Sequence, residues 1–291
     1  MNRVEFLQSL GLLALTPITM KLNELKNITD NFGTTDKMPV LFAGHGNPMN
    51  AIQQNSFTQG WVNSVKDITV PKAVLCISAH WETKGTFVTA MEKPKTIHDF
   101  YGFPQELFGV QYPSPGAPEY AKEVQQTVKK ADVQLDYDWG LDHGTWSVLI
   151  KMFPNADIPV FQMSLDYSKS AQYHYDLAKE LAVLRRKGVL IVGSGNIVHN
   201  LRMADLRNES APYDWAIEFD ELSKKLIESG EHQRLIEYQK LGSAAQLSIP
   251  TPEHYLPMLY AIALQEKGEH ISFFNEEIAF RSGSMRSLKI G

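Results

Sequence analysis

Cysteine is almost absent from this chain: Cys76 is the only one among 291 residues, so no internal disulfide can form. It lies in the apolar run Ala73-Val-Leu-Cys-Ile77, a setting for a buried and inert thiol, because a reactive thiolate needs polar, partly exposed surroundings. Both features point to a reducing, cytoplasmic compartment. Basic clusters are missing as well. A formal net charge of -5 and no concentrated Lys/Arg stretch leave no footprint for a phosphate backbone, which excludes nucleic acid as the expected partner. No apolar run reaches the roughly 20 residues a membrane-spanning helix needs. Repeats and low-complexity tracts are also lacking, and no pattern specifies an oligomeric state.

At the N-terminus, Met1-Asn-Arg-Val-Glu-Phe-Leu-Gln8 and Ser9-Leu-Gly-Leu-Leu-Ala-Leu15 carry fragments of an export signal. Arg3 stands alone where a twin-arginine signal needs a pair, Glu5 is acidic, and Thr16-Pro17 follows the apolar stretch without a small-residue cleavage site. Residues 1–37 therefore read as an N-terminal helix and polar linker, or as a degenerate signal, ahead of one domain over residues 38–291.

Within that domain, short β-type runs alternate with longer helical patterns. This is the signature of an α/β fold: a single domain with a central mixed, largely parallel sheet flanked by helices on both faces. The strands are expected at residues 40–43, 73–78, 86–91, 133–137, 160–164, 189–193, 271–274 and 285–290. Helices are expected at 118–130, where a proline suits the first turn, at 171–187, where Tyr175, Leu177, Ala178, Leu181 and Leu184 share a face, and at 255–264.

Of the nine histidines, five fall where a strand or helix pattern meets a turn. In open α/β sheets the carboxyl ends of the strands face the ligand crevice, so a polar residue just past an apolar run projects into it. Val40-Leu-Phe-Ala43 leads to His45, Ala73–Ser78 leads to His80, and Val189–Gly193 leads through Ser194-Gly195-Asn196 to His199. His143 in Leu141-Asp-His-Gly-Thr-Trp146 and His254 in Thr251-Pro-Glu-His-Tyr255 stand at helix starts. Neutral imidazoles from separate elements suit a divalent transition metal and leave coordination positions open. Any one histidine of this kind is more often a hydrogen-bonded, half-buried residue, so the convergence of several is what carries weight. His174, His232 and His270 sit in charge-rich contexts and read as solvated surface. His98 lies beside Phe100, Tyr101 and Phe103, a cluster suited either to core or to the wall of an aromatic pocket.

Six ordered segments are then recognisable: Gly44-His-Gly-Asn-Pro-Met49, Ile77-Ser-Ala-His-Trp81, Asp99-Phe-Tyr-Gly-Phe-Pro104, Asp142-His-Gly-Thr-Trp146, Gly193-Ser-Gly-Asn-Ile-Val-His-Asn200 and Pro250-Thr-Pro-Glu-His-Tyr255. Together they resemble the 4,5-DOPA extradiol dioxygenase family, of the class III or LigB type, from about Met38 to the C-terminus. The resemblance implies an extradiol dioxygenase-like catalytic domain with one divalent metal ion per chain. Fe(II) would serve dioxygenase activity and Zn(II) would also bind. The implied ligands are His45, His80 and His254, with His199 as acid/base or fourth ligand and His143 as an assisting, substrate-facing residue. The implied partners are a small aromatic diol and dioxygen. Glu253 precedes His254, and adjacent helical residues diverge by about 100°, so only one of the two faces the metal; family position selects His254.

Two rivals accompany this reading. Three imidazoles and a water also make a hydrolytic zinc site, and a binding protein that kept the fold without catalysis is the second. The aromatic residues Trp81, Phe100, Tyr101, Trp146 and Tyr255 would suit many catechols, and Arg202 or Arg286 would be the cation for a carboxylated one.

Overall fold

In the computed structural model, residues 36–205 and 210–291 are described. The expectations for the N-terminal segment lie outside them, apart from its last positions. Lys37–Gly291 forms one compact unit. Its centre is an eight-stranded sheet ordered β4-β3-β5-β2-β6-β1-β10-β7. The strands are β1 (Val40–Gly44), β2 (Ala73–Thr83), β3 (Thr86–Thr89), β4 (Val133–Asp136), β5 (Val160–Asp166), β6 (Val189–Gly195), β7 (Ile271–Phe274) and β10 (Ser287–Ile290). A small hairpin of β8 (Ile278–Ala279) and β9 (Gly283–Ser284) stands apart from the sheet. The central four, β5-β2-β6-β1, run parallel, while β10 and β7 complete one side antiparallel.

These central strands read as continuous apolar runs because both of their faces are covered. On one face Leu41, Ala43, Val74, Val160, Leu190 and Val192 pack with Trp61 of the helix Ser56–Val65 and with Trp146, Leu149 and Met152 of the helix His143–Met152. On the other, the helix Leu256–Ala263 approaches β6 so closely that glycine is required. A Cβ at Gly193 would lie 2.3 Å from the Pro257 carbonyl oxygen, and one at Gly195 would lie 2.2 Å from that of His254. The glycines of β6 thus make room for the segment that bears His254.

The expected strands are all present, with shifted ends. β2 continues through His80 to Thr83, with a slip in its pairing to β5 between Ile77 and Glu82. His80 is therefore delivered from within a bulged strand, not from the loop after it. The expected helix at 171–187 divides into Ala171–Glu180 and Ala182–Arg185, because Leu181 N–H bonds Ala178 O and Leu184 N–H bonds Leu181 O, a tighter winding. Of its expected apolar face Leu177, Ala178, Leu181 and Leu184 are buried, while Tyr175 is half-buried. The helix Asp214–Glu228 was not expected, although Ala216, Phe219, Leu226 and Ile227 give it a buried stripe.

Candidate metal centre

Parallel pairing through β6 brings the ends of β1 and β2 to one edge of the sheet. His45 follows β1 directly, and its backbone N–H donates to Gly195 O at 3.1 Å. His254 lies in the turn before Leu256–Ala263, tied to β6 through Asn196 N–H donating to His254 O at 2.8 Å. His143 opens its helix, whose N-cap Asp142 accepts from Thr145 N–H. Asp142 is itself anchored to the sheet by Ser78 Oγ and Gln162 Nε2, each at 2.6 Å. His199 is held by its N–H to Ser248 O at 2.9 Å and by a bridge to Gly283.

These five imidazoles converge. Ring centroids of His45, His80 and His254 are 4.9 to 5.2 Å apart, and one nitrogen from each lies within 4.8 Å of the others. His143 stands 3.8 Å from the His80 ring, and His199 stacks on His254 at 3.5 Å with 11° between planes. His199 shares a second group with Glu253 and His254, and His143 a third with His80 and Asp99.

Hydrogen bonds decide which nitrogens are free. Ser194 Oγ donates to Gly144 O at 2.5 Å, so it accepts from His45 Nδ1–H at 3.0 Å, and the lone pair of His45 is on Nε2. Glu253 Oε1 likewise accepts from His254 Nδ1–H at 3.2 Å. The Nε2 atoms of His45 and His80 face each other at 3.2 Å. Burial, and then the neighbouring imidazoles, hold His45 and His254 well below the usual histidine range. Burial lowers His80 to about 3 and His199 to about 4, with His143 the next cause for each. Neutral imidazole nitrogens converging from separate elements, two with the other nitrogen already engaged, fit a divalent metal ion.

Several other expectations are corrected. His174 is not a surface residue: it is 0% exposed, with Nδ1 bonded to Tyr260 OH and Nε2 to Asp166 O. His232 is half-buried against Tyr175, while His270 is exposed as expected. His98 bonds Val110 O through Nε2 within an aromatic cluster and has a packing role. Trp146 and Tyr255 are core, their polar atoms donating to Ile97 O and Leu235 O. Tyr101 is 92% exposed, Trp81 is buried against Trp139, and Phe100 is the aromatic ring that reaches His143, at 5.6 Å. Arg286 is buried and engaged by Asp220, Glu221 and Glu276, three carboxylates that already balance its charge. Arg202 is exposed. Cys76 is buried, as expected, and burial raises its thiol pKa. Sequence reasoning missed Ser194 and Asp99 as orienting groups, although both lie inside the motifs that it picked out.

Residues 38–279 match the family model described as the catalytic LigB subunit of aromatic ring-opening dioxygenase. The chain belongs to this family. A relative from Escherichia coli (strain K12), named 4,5-DOPA dioxygenase extradiol, is 45% identical over 268 residues, covering 91% of this chain and 98% of the relative. A Mirabilis jalapa protein of the same name is 36% identical over 78% of this chain and 86% of its own length. Among solved structures, an uncharacterized protein from Escherichia coli K12 shares 42% identity and a TM-score of 0.77, covering 88% of this chain and all of that one. The LigB match spans every one of the five converging histidines.

Proposed function

We propose that this protein is an extradiol ring-cleaving dioxygenase that inserts dioxygen into a catechol such as DOPA at a mononuclear metal centre. The observation that carries the reading is the convergence of His45, His80 and His254 nitrogens within 4.8 Å of one another, in a chain of the ring-opening family. Those three residues would hold the ion. Bound Fe(II) would supply charge that acidifies the catechol hydroxyls and a redox couple between the aromatic ring and dioxygen.

The remaining work falls to the chain. His199, whose pKa burial lowers to about 4, is in its basic form at neutral pH and takes the proton from a catechol hydroxyl, returning it as the ring opens. His143 assists from beside the His80 ring, 3.8 Å away, and Phe100 next to it gives an aromatic substrate an apolar wall. The stacking of His199 on His254 favours the proton-transfer role over that of a fourth ligand, since its nitrogens group with Glu253 and not with His45 and His80. Residues 38–291 constitute the catalytic domain in this reading. The lone buried thiol favours a cytoplasmic site of action, and no helix among the described residues is long and apolar enough to cross a membrane.

The test is anaerobic loading with Fe(II) or Zn(II), followed by oxygen uptake on a panel of catechols. The iron form should consume oxygen and yield a yellow ring-opened product. The zinc form should bind, because zinc outcompetes Fe(II) for such ligands, yet stay inactive for want of a redox change. Hydrolysis of esters or amides by both forms, without oxygen uptake by either, would replace this reading with the zinc hydrolase.

A further inference from the structure

Asp99 lies in the loop between β3 and the short helix Gln105–Phe108, far in sequence from both residues it touches. Its Oδ1 accepts the backbone N–H of His143 at 2.8 Å. Its Oδ2 lies 2.9 Å from His143 Nδ1 and 3.4 Å from His80 Nδ1. The loop is pinned on the N-terminal side by Ile97, whose N–H donates to Leu141 O and whose carbonyl accepts Trp146 Nε1–H. On the other side Phe100 packs against His143 and Trp146.

We propose that Asp99 is a positioning residue that sets the tautomers of His80 and His143 together, so that both rings carry the proton on Nδ1 and offer the Nε2 lone pair to the site. A carboxylate only accepts, and one of its oxygens has lone pairs enough for two donors. The backbone bond to His143 fixes the plane of the carboxylate, which leaves Oδ2 aimed between the two rings. A purely structural role as helix cap is already filled, because Asp142 accepts Thr145 N–H at that N-terminus. The consequence is a shared control: one side chain orients a residue read as a metal ligand and one read as assisting proton transfer. The inference rests on the reading of those two roles under the proposed function.

Asp99→Asn tests it. The amide keeps the shape and can still accept from His143 N–H, but its NH₂ replaces Oδ2 and donates. His143 Nδ1 must then become the acceptor, and its proton moves to Nε2. Imidazole ¹⁵N spectra of the zinc-loaded protein should show Nδ1–H at both rings in the wild type and Nε2–H at His143 in the variant. Turnover of the iron form should fall on the order of 10²–10⁴-fold with KM for the catechol nearly unchanged, the size expected when a group assisting proton transfer is held in the wrong tautomer. Asp99→Glu, which restores a carboxylate, should recover the Nδ1–H signal and part of kcat. Wild-type tautomers at both rings in Asp99→Asn, or a kcat within about threefold of wild type, would overturn the proposal. The spectra need no turnover. A wild type that consumes no oxygen would sink the dioxygenase reading while the tautomers still decide the role of Asp99.

Discussion

Two buried histidine environments in this molecule differ in one respect that matters. His174, packed under the helix Leu256–Ala263, has both ring nitrogens occupied, one by Tyr260 OH at 3.0 Å and the other by Asp166 O at 3.2 Å. At the sheet edge, His45 is buried as deeply and His80 is half-buried, yet their Nε2 atoms face each other at 3.2 Å. Burial lowers the pKa in both places and so does not tell a ligand from a core residue. What separates them is where the lone pairs go. A satisfied imidazole stabilises the fold, whereas lone pairs aimed at a common point are a donor set.

The strongest way to break this comparison is to remove a donor. His254→Ala should lose most bound metal and all oxygen uptake, whereas Glu253→Ala should retain the metal with affinity weaker by about 10–100-fold, the usual cost of an orienting partner. Metal analysis after dialysis reads both variants, and the reverse order would make Glu253 the ligand. Next in size, His199→Gln should keep its metal and lose turnover on the order of 10²–10⁴-fold. Activity within about tenfold of wild type would remove His199 from proton transfer. Ser194→Ala should keep the fold and weaken zinc affinity by about 10–100-fold in a chelator competition, because His45 Nδ1–H loses its acceptor. Unchanged affinity would mean that the serine does not orient that ring.

The effect furthest from the metal belongs to His174, whose pKa burial lowers to about 4 from an ordinary value of 6.5. Between those values the unfolded chain binds the proton and the folded one does not. Stability therefore rises with pH across the window and falls as acid is added, by roughly 3 kcal/mol at most. His174→Gln should make the pH dependence of chemical denaturation between pH 6.5 and 4 less steep, by the share of this one histidine, while leaving metal content intact. Loss of metal in that variant would blur the distinction between the two environments.

Much of the frame was legible because it is local. Val189-Leu-Ile-Val192 and Val40-Leu-Phe42 announce buried parallel strands by their unbroken apolar character, and the histidines past them were placed by the rule for strand ends. The misreadings share a different cause. His174 sits among Gln172, Tyr173, Tyr175 and Asp176, polar company that looks exposed, and its burial is created by Tyr260 far along the chain. Asp99 was quoted for its aromatic neighbours, since its hydrogen bonds to His143 and its approach to His80 run across the fold. Ser194 hid between two glycines whose close approach to the His254 segment was itself unreadable from spacing. The helix Asp214–Glu228 was obscured by Asp220, a buried carboxylate that breaks the apolar stripe and makes sense only against Arg286.

The central claim is that one metal ion held by three convergent imidazoles supports ring cleavage, and an anaerobic Fe(II) titration tests it most directly. Apo-protein is loaded in fractional steps, and initial oxygen uptake with DOPA or simple catechol is recorded at each step, with His254→Ala alongside. Uptake should rise linearly, level off at one iron per chain, and be absent from His254→Ala at every loading. Uptake that needs a second iron, that survives unchanged in His254→Ala, or that never appears with any catechol would contradict the account.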